Sequence, residues 1–107
     1  MEKFNIAWEN AIKFNNVDGA KSRMCYICDD QIKFNKLDSS EKPKANSWNI
    51  DWVDGNINNN NNSNIVATHA ECNKNKVNIN GFWLYINKKN YEDRISWNDQ
   101  EKAAYFL

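Results

Sequence analysis

The feature that most constrains this chain is the position of its only histidine. His69 and Cys72 form a His-x-x-Cys pair, and Cys25 and Cys28 form a Cys-x-x-Cys pair upstream. All three cysteines and the single imidazole therefore fall into two pairs with the spacing of a zinc site. Four protein ligands fill the coordination sphere of Zn²⁺, so the sequence predicts a structural metal rather than a catalytic one. The competing explanation is that buried cysteines and one polar histidine share these spacings by chance.

Length and charge narrow the class of protein. A chain of 107 residues corresponds to one small domain, in which a bound metal would contribute a large part of the stability. The formal net charge is zero, which gives no global electrostatic case for binding to nucleic acid or to a membrane surface. The odd number of cysteines, all in ligand-spaced pairs, argues against a disulfide framework and favours a reducing, intracellular compartment.

The sequence also lacks the signals of export and membrane insertion. Its N-terminus has neither the basic region nor the uninterrupted apolar stretch of a signal peptide. No apolar run approaches the roughly 20 residues needed to span a bilayer, so we expect a cytoplasmic protein without a membrane partner. The heavy use of asparagine, including the run from Asn58 to Asn62, is typical of codon bias in an AT-rich genome, as in many phages.

Apolar periodicity predicts an α+β domain. Residues 3–15 are expected to form an amphipathic helix, ended by residues 17–19. Short apolar runs on both sides of the first cysteine pair favour a hairpin over residues 21–34, and W-N-I-D-W-V and I-V-A-T are expected to form two further strands. A helix is expected from Asn73 onward, and the short apolar segment around residues 82–86 leaves the element type open, with a helix favoured. Ser96 followed by Asp99 resembles a capping box and predicts a C-terminal helix.

A set of polar residues lies between the two ligand pairs and just beyond them. The chain has Asp51-Trp52, then D-G-N over residues 54–56, then Asn64, and the second pair ends in Cys72-Asn73. This layout resembles the HNH nuclease family, in the zinc-knuckle form found in phage homing and recombination endonucleases. In that family a strand carries an Asp-His pair, an Asn-rich loop and an Asn follow, and a knuckle ends in Cys-Asn or Cys-His. The match covers roughly residues 25–76.

The resemblance implies a fold and a set of roles. We expect a single domain over residues 1–107 with a small ββα-metal core, a structural zinc knuckle and flanking helices. Asp51 and Asn73 match the family's ligands for Mg²⁺ or Mn²⁺, and oxygen ligands suit such a hard cation. Asn64 matches the residue that braces the loop and orients the catalytic histidine. The reaction implied for active relatives is metal-dependent hydrolysis of phosphodiester bonds in DNA. The alternative for Asp51 and Asn73 is ordinary surface polarity.

Trp52 departs from the family, because it stands where the general base is expected. An indole has only an N–H donor and cannot accept a proton from water. A positioned base is typically worth a factor of about 10²–10⁴ in rate, so we expect hydrolysis to be impaired. Asp54 is a conceivable substitute, but its position along the same strand face does not favour it. Trp52 could reflect natural loss of activity, an engineered inactive state, or a core tryptophan in a misassigned register; the first is preferred.

The segment over residues 73–91 combines four lysines with aromatic residues and contains no acid. This composition predicts phosphate contacts from Lys74, Lys76, Lys88 and Lys89, with aromatic rings that stack on bases. The alternative is a solvated helix face over buried aromatic residues. Two functions follow as hypotheses. The first is an HNH endonuclease-like DNA-binding protein with impaired hydrolysis, and the alternative is a non-catalytic zinc-knuckle module that binds DNA or a protein partner, such as a host protein modulated by a phage.

Overall fold

A computed structural model of the chain describes residues 2–15, 17–38, 44, 47–76 and 79–92. These residues form three α-helices and two antiparallel sheets of two strands each, so the predicted α+β class is confirmed. The elements in chain order are α1 (Glu2–Asn10), β1 (Ser22–Met24), β2 (Gln31–Lys33), β3 (Trp48–Trp52), β4 (Ile65–His69), α2 (Ala70–Lys76) and α3 (Phe82–Lys89). No helix among the described residues is both long and apolar enough to cross a bilayer.

The first sheet is the predicted hairpin, with the first cysteine pair in its turn. β1 and β2 pair Ser22 with Lys33 and Met24 with Gln31, which leaves residues 25–30 as the connection. Asp29 takes a left-handed backbone conformation there, with φ of 68°, and Asp tolerates this conformation better than most residues. The turn therefore holds both cysteines at the same end of the hairpin.

The second sheet joins directly to a helix. β3 and β4 pair from Trp48 opposite His69 to Trp52 opposite Ile65, and α2 begins at the residue after β4. α1 covers one face of this sheet, where Ala7 packs with Ile50 and Ile65. Two strands followed by a helix is the element order that the resemblance implies, but many small domains share it, so the order by itself defines only a class.

Trp48 occupies the centre of the main core. Its side chain is buried and contacts the rings of Phe4, Trp8 and Phe34 at centroid distances of 6.2, 5.2 and 6.0 Å. The indole N–H donates to the carbonyl oxygen of Phe34 at 2.9 Å, which satisfies its only polar atom. The core thus packs α1 and the segment after β2 against β3.

α1 is shorter than the predicted helix over residues 3–15, and residues 17–19 do not end it. Ala11, Ile12 and Phe14 are buried, as their spacing requires, but Ile12 pairs with Met24 in an extended conformation. The Arg23 guanidinium donates to the carbonyl oxygens of Glu9 and Ala11 at 3.1 and 3.0 Å. These bonds satisfy carbonyl groups that the end of a helix leaves without partners, so the chain can leave the helix early.

The remaining helices fit the predictions in type rather than in boundaries. α2 begins at Ala70, three residues before the predicted start at Asn73. α3 confirms the helix expected around residues 82–86. The predicted C-terminal helix, with Ser96 and Asp99 at its start, lies outside the described residues.

Gly81 lies at a close approach between the start of α3, the hairpin turn and α2. A Cβ at this position would be 2.6 Å from the Tyr26 hydroxyl oxygen and 2.9 Å from the Lys76 Cε. We expect Gly81→Ala to lower the free energy of unfolding by about 1–3 kcal/mol, the usual cost of overpacking. Urea denaturation measures this loss. In the control Gly19→Ala the nearest atoms are side-chain atoms 3.1–3.3 Å away, so equal losses for the two variants would contradict the prediction.

Candidate metal centre

The four predicted metal ligands come together in the structure. One ligand atom from each of Cys25, Cys28, His69 and Cys72 lies within 4.8 Å of all the others. The Nδ1 atom of His69 is 3.2 Å from the Cys28 Sγ and 4.0 Å from the Cys72 Sγ. Usual zinc bond lengths in a tetrahedral site place nitrogen and sulfur ligands roughly 3.5 Å apart. The cluster can therefore hold a structural metal ion such as zinc.

The ligands come from two parts of the fold that share no strand pairing among the described residues. Cys25 and Cys28 lie in the turn of the β1–β2 hairpin, where the Cys25 amide donates to the Asp30 carbonyl at 2.9 Å. His69 is the last residue of β4, and Cys72 follows in the first turn of α2. A metal held by all four side chains would therefore join the hairpin to the second sheet.

The surroundings of His69 determine which ring nitrogen faces the thiols. Its Nε2 atom lies 2.8 Å from the carbonyl oxygen of Gln31, and a carbonyl can only accept a hydrogen bond. The proton is therefore assigned to Nε2, which leaves the Nδ1 lone pair directed towards the cysteines. A metal-bound histidine usually has its second nitrogen fixed by such a hydrogen bond. The hairpin thus supplies both two ligands and the group that orients the third.

The thiols resist ionisation in these surroundings. A hydrogen bond with Cys25, together with burial, raises the pKa of Cys28 to about 12, although a hydrogen bond with His69 opposes this shift. The pKa of Cys25 is lowered by its hydrogen bond with Cys28 but raised by Cys72 and by burial, and the result is about 11. A metal ion requires thiolates and supplies the positive charge that stabilises them. The cysteines are therefore better suited to binding a cation than to acting as free nucleophiles.

Asp51, the predicted ligand for Mg²⁺ or Mn²⁺, lies in a buried network. Its side chain is 1% exposed, and Lys76 Nζ contacts Oδ1 at 3.1 Å while the Tyr26 hydroxyl donates to Oδ2. Lys76 also donates to the Trp52 carbonyl at 3.0 Å. Burial raises the pKa of Asp51, and the hydrogen bond from Tyr26 and the charge of Lys76 oppose that shift. Burial raises the pKa of Tyr26, so its hydroxyl stays protonated and donates a hydrogen bond to Asp51.

This network affects the predicted cation site directly. Both carboxylate oxygens of Asp51 already have partners inside the protein, and a divalent cation would have to displace the Lys76 ammonium. The side chain of Asn73, the second predicted ligand, donates from Nδ2 to the Ile50 carbonyl at 3.0 Å. An internal ammonium therefore neutralises the carboxylate that the resemblance assigns to a metal.

Trp52 and Asn64 have separate structural roles. Trp52 follows Asp51 on β3, so the two side chains point to opposite faces of the sheet, and Trp52 packs against the cluster of Ala7, Ile50 and Ile65. The Asn64 amide group donates to the Asp54 carboxylate at 3.0 Å and to the Asn59 carbonyl at 2.9 Å. Asn64 thus holds the loop between β3 and β4.

The four lysines predicted to contact phosphates do not share one surface. Lys76 and Lys88 are buried, and Lys88 donates to the Tyr26 carbonyl at 2.5 Å and pairs with Asp29. Lys89 is partly buried and pairs with Glu92 at 2.8 Å. Lys74 is exposed. The structure therefore places two of these ammonium groups inside the domain rather than on a face that a phosphate backbone could follow.

Tyr26, Gln31 and the pairing of Lys76 with Asp51 are functional features that the sequence did not predict. Tyr26 lies between the two cysteines of the first pair, and that position was the only available signal of a role beside the cluster. Gln31 acts through its backbone carbonyl, which no residue type encodes. Lysine side chains usually lie at the surface, so nothing in the sequence indicated that Lys76 is buried.

Comparisons of the chain with models of protein families, with curated proteins and with solved structures gave no match. The fold and the cluster therefore define a class: a small α+β domain with a potential metal site of three cysteines and one histidine.

We expect the purified protein to contain about one zinc per chain, and a chelator to unfold it, because metal binding supplies folding free energy in such small sites. Elemental analysis measures the metal, and circular dichroism follows the unfolding. Zinc added back should restore the fold, whereas Mg²⁺ should not, since thiolates are poor ligands for it. A chelated protein that stays folded would refute a stabilising role for the metal.

We expect Asp51→Asn to lower the free energy of unfolding by about 3–5 kcal/mol, because it leaves the buried Lys76 ammonium without its counter-ion. The matched control is Glu9→Gln, which removes a carboxylate that is 73% exposed and 3.4 Å from Arg23. Because the Glu9 carboxylate is solvated and the buried Arg23 keeps its bonds to two backbone carbonyl groups, loss of this contact is expected to cost about 0–1 kcal/mol. Denaturant titration of both variants measures the difference, and a small loss for Asp51→Asn would show that the pair is not buried in solution.

Proposed function

We propose that this protein is a non-catalytic zinc-knuckle binding module with an HNH-like layout, and that it acts through a protein partner rather than through hydrolysis. The observation that carries this proposal is the closed network around Asp51. An active HNH-type site needs a carboxylate free to hold a divalent cation, whereas both oxygens of Asp51 are bound to Tyr26 and Lys76. Removing Lys76 from a buried pair has an energetic cost that solvated Mg²⁺ is poorly suited to offset.

Zinc is the metal that best fits the proposed structural site. Three soft thiolate donors and one imidazole match the ligand preference of zinc, and they exclude hard cations such as Mg²⁺. With four protein ligands the ion has no open position for water or substrate. The metal would then hold the hairpin against β4 and α2.

Among the described residues, the surroundings of Asp51 also offer no general base for hydrolysis. Trp52 has no acceptor atom, and its side chain packs on the α1 side of β3, on the opposite face from Asp51. The Asp54 carboxylate accepts hydrogen bonds from the Asn59 side chain and from the Asn56 backbone, and these bonds lower its pKa. A carboxylate stabilised in this way is a weaker base. His69, the only imidazole, lies in the metal cluster.

The distribution of charge favours a protein partner over DNA. The net charge is zero, and Lys76 and Lys88 are paired inside the domain. DNA affinity depends on neutralising several phosphates with accessible cations. DNA remains a second candidate, since Lys74 is exposed and the rings of Phe82 and Trp83 lie at the surface, where bases could stack on them.

We expect no nicking of supercoiled plasmid above background with Mg²⁺ or Mn²⁺. Trp52→His should remain inactive, because the new imidazole would lie on the face of β3 opposite Asp51 and the carboxylate would still be paired with Lys76. Gel electrophoresis of the plasmid measures both results. A gain of about 10²-fold or more with Trp52→His would refute the non-catalytic assignment. A mobility shift of labelled duplex DNA that weakens steeply with salt would favour the DNA candidate.

A further inference from the structure

The three thiols of the metal cluster differ in their access to solvent. Cys28 is exposed, Cys72 is partly buried, and Cys25 is buried with 0% of its surface exposed. The difference follows from the hairpin turn, where Cys25 comes directly after β1 and belongs to the main core. Cys28 lies further along the turn, at the surface of the domain. An oxidant in solution therefore reaches the Cys28 sulfur before the other two.

Cys25 places a second sulfur within reach of Cys28. Their side chains are hydrogen-bonded, and the ligand atoms of the cluster all lie within 4.8 Å of one another. Two backbone hydrogen bonds hold the turn, from the Asp29 amide to the Cys25 carbonyl at 2.8 Å and from the Cys25 amide to the Asp30 carbonyl at 2.9 Å. A disulfide within this turn closes a short loop, whereas one to Cys72 closes a much longer loop at a larger entropic cost.

We propose that Cys28 is a redox-modification site, at which a peroxide oxidises the metal-bound thiolate and Cys25 captures the product as a disulfide that releases the metal. Cysteines that sense oxidants are accessible thiolates and often lie beside a second, resolving thiol. Coordination to a metal requires the thiolate form, which is also the form that reacts. One exposed ligand and one buried ligand in the same turn meet both conditions.

The reaction balances with hydrogen peroxide as the oxidant. The Cys28 thiolate attacks one peroxide oxygen, the O–O bond breaks, and hydroxide leaves as Cys28 becomes a sulfenic acid. The Cys25 thiolate then attacks the Cys28 sulfur, the S–O bond breaks, and a second hydroxide leaves as the S–S bond forms. The two sulfurs together lose two electrons, the peroxide oxygens gain them, and each hydroxide takes a proton from solvent. A thiol reductant reverses the change by thiol–disulfide exchange.

The disulfide separates the two halves of the cluster. It removes the first cysteine pair from the ligand set, so that of the four ligands His69 and Cys72 remain, and both lie on the side of the second sheet. The hairpin then depends on contacts such as the hydrogen bond from Tyr26 to Asp51. A small domain that loses its metal loses a large part of its stability. Oxidation thus switches the binding module off by opening its fold.

The switch rests on zinc binding by the cluster and is independent of the loss of hydrolysis and of the choice of partner. Nicking by Trp52→His would refute the non-catalytic assignment and leave the switch untouched. A protein that binds no zinc would overturn the structural site and the switch together. A zinc-loaded protein that keeps its metal in peroxide would overturn the switch alone. These failures are therefore distinguishable.

Peptide mapping of the peroxide-treated, zinc-loaded protein identifies the bond that forms. Free thiols are alkylated in denaturant before digestion with trypsin, which cleaves after Arg23 and Lys33 and so puts the whole first cysteine pair on one peptide and Cys72 on another. The first peptide should carry no alkyl group and be lighter than its reduced form by two hydrogen atoms, while Cys72 is alkylated. A chromophoric chelator should detect zinc release in step with this disulfide. A cross-link to the Cys72 peptide, or zinc release with both thiols of the first pair still alkylated, would overturn the proposal.

Two variants that each exchange one thiol for an imidazole form a matched pair. Cys28→His and Cys72→His both leave two cysteines and two histidines, a ligand set that zinc accepts. Cys72→His keeps the first cysteine pair and should release zinc at about the parental rate. Cys28→His should release it at least about tenfold more slowly, because peroxide must then wait for local opening of the fold.

Elemental analysis and circular dichroism show whether each variant is loaded with zinc and folded before peroxide is added. Equal rates of zinc release for the two variants, or protection by Cys72→His alone, would contradict the assignment of Cys28 as the site of attack. Where a variant fails to bind zinc, the peptide map of the parent chain decides the question. A thiol reductant together with added zinc should restore the circular dichroism of the oxidised parent chain.

Discussion

The structure depends on the link between two small sheets that share no strand pairing among the described residues, and Tyr26 lies at the centre of that link. It stands between the two cysteines of the first ligand pair, so any metal held by the cluster also fixes this residue. Its hydroxyl donates to Asp51 on β3, and its carbonyl accepts from Lys88 on α3. The hairpin turn thus positions the second sheet and the last described helix through one residue. A small domain with a limited core gains most from such a connection, because each element alone buries little apolar area.

In the Asp51–Lys76 pair, the Lys76 ammonium neutralises a carboxylate that the resemblance assigns to a metal ion. Both are side chains of the same chain, one on β3 and one at the end of α2, so folding brings the charges together without any ligand. The pair contributes little net stability relative to an apolar pair of similar size, but breaking it is costly. A protein that needed the carboxylate for a divalent cation would lose that function in such an arrangement. The electrostatics therefore favour a structural role for a position that HNH-type chemistry would use for catalysis.

The cluster of three cysteines and one histidine, the hairpin and both long strands could be predicted from the sequence, because each depends on local spacing. The Cys-x-x-Cys and His-x-x-Cys pairs specify their geometry within a few residues, and the apolar runs of β3 and β4 mark buried strands. The end of α1 could not be predicted, since Arg23 satisfies its carbonyl groups from across the fold. The burial of Lys76 depends likewise on a carboxylate 25 residues away. Lysine is rarely buried without such a partner, and the partner becomes visible only in three dimensions.

The burial of two lysines changes what the surface around α3 can recognise. Lys76 and Lys88 each pair with a carboxylate, the buried Asp51 and the partly exposed Asp29, so each ammonium charge is balanced within the domain. Within the described part of the chain, the outer face of α3 then presents exposed apolar side chains, and Lys89 at the end of this helix is paired with Glu92. Under the proposed binding function, contacts at this face would rest on shape and apolar burial, and apolar contacts are weakly affected by ordinary salt, whereas phosphate contacts are strongly screened. The ion pairs that occupy Lys76 and Lys88 therefore support the proposal of a protein partner over a nucleic-acid backbone.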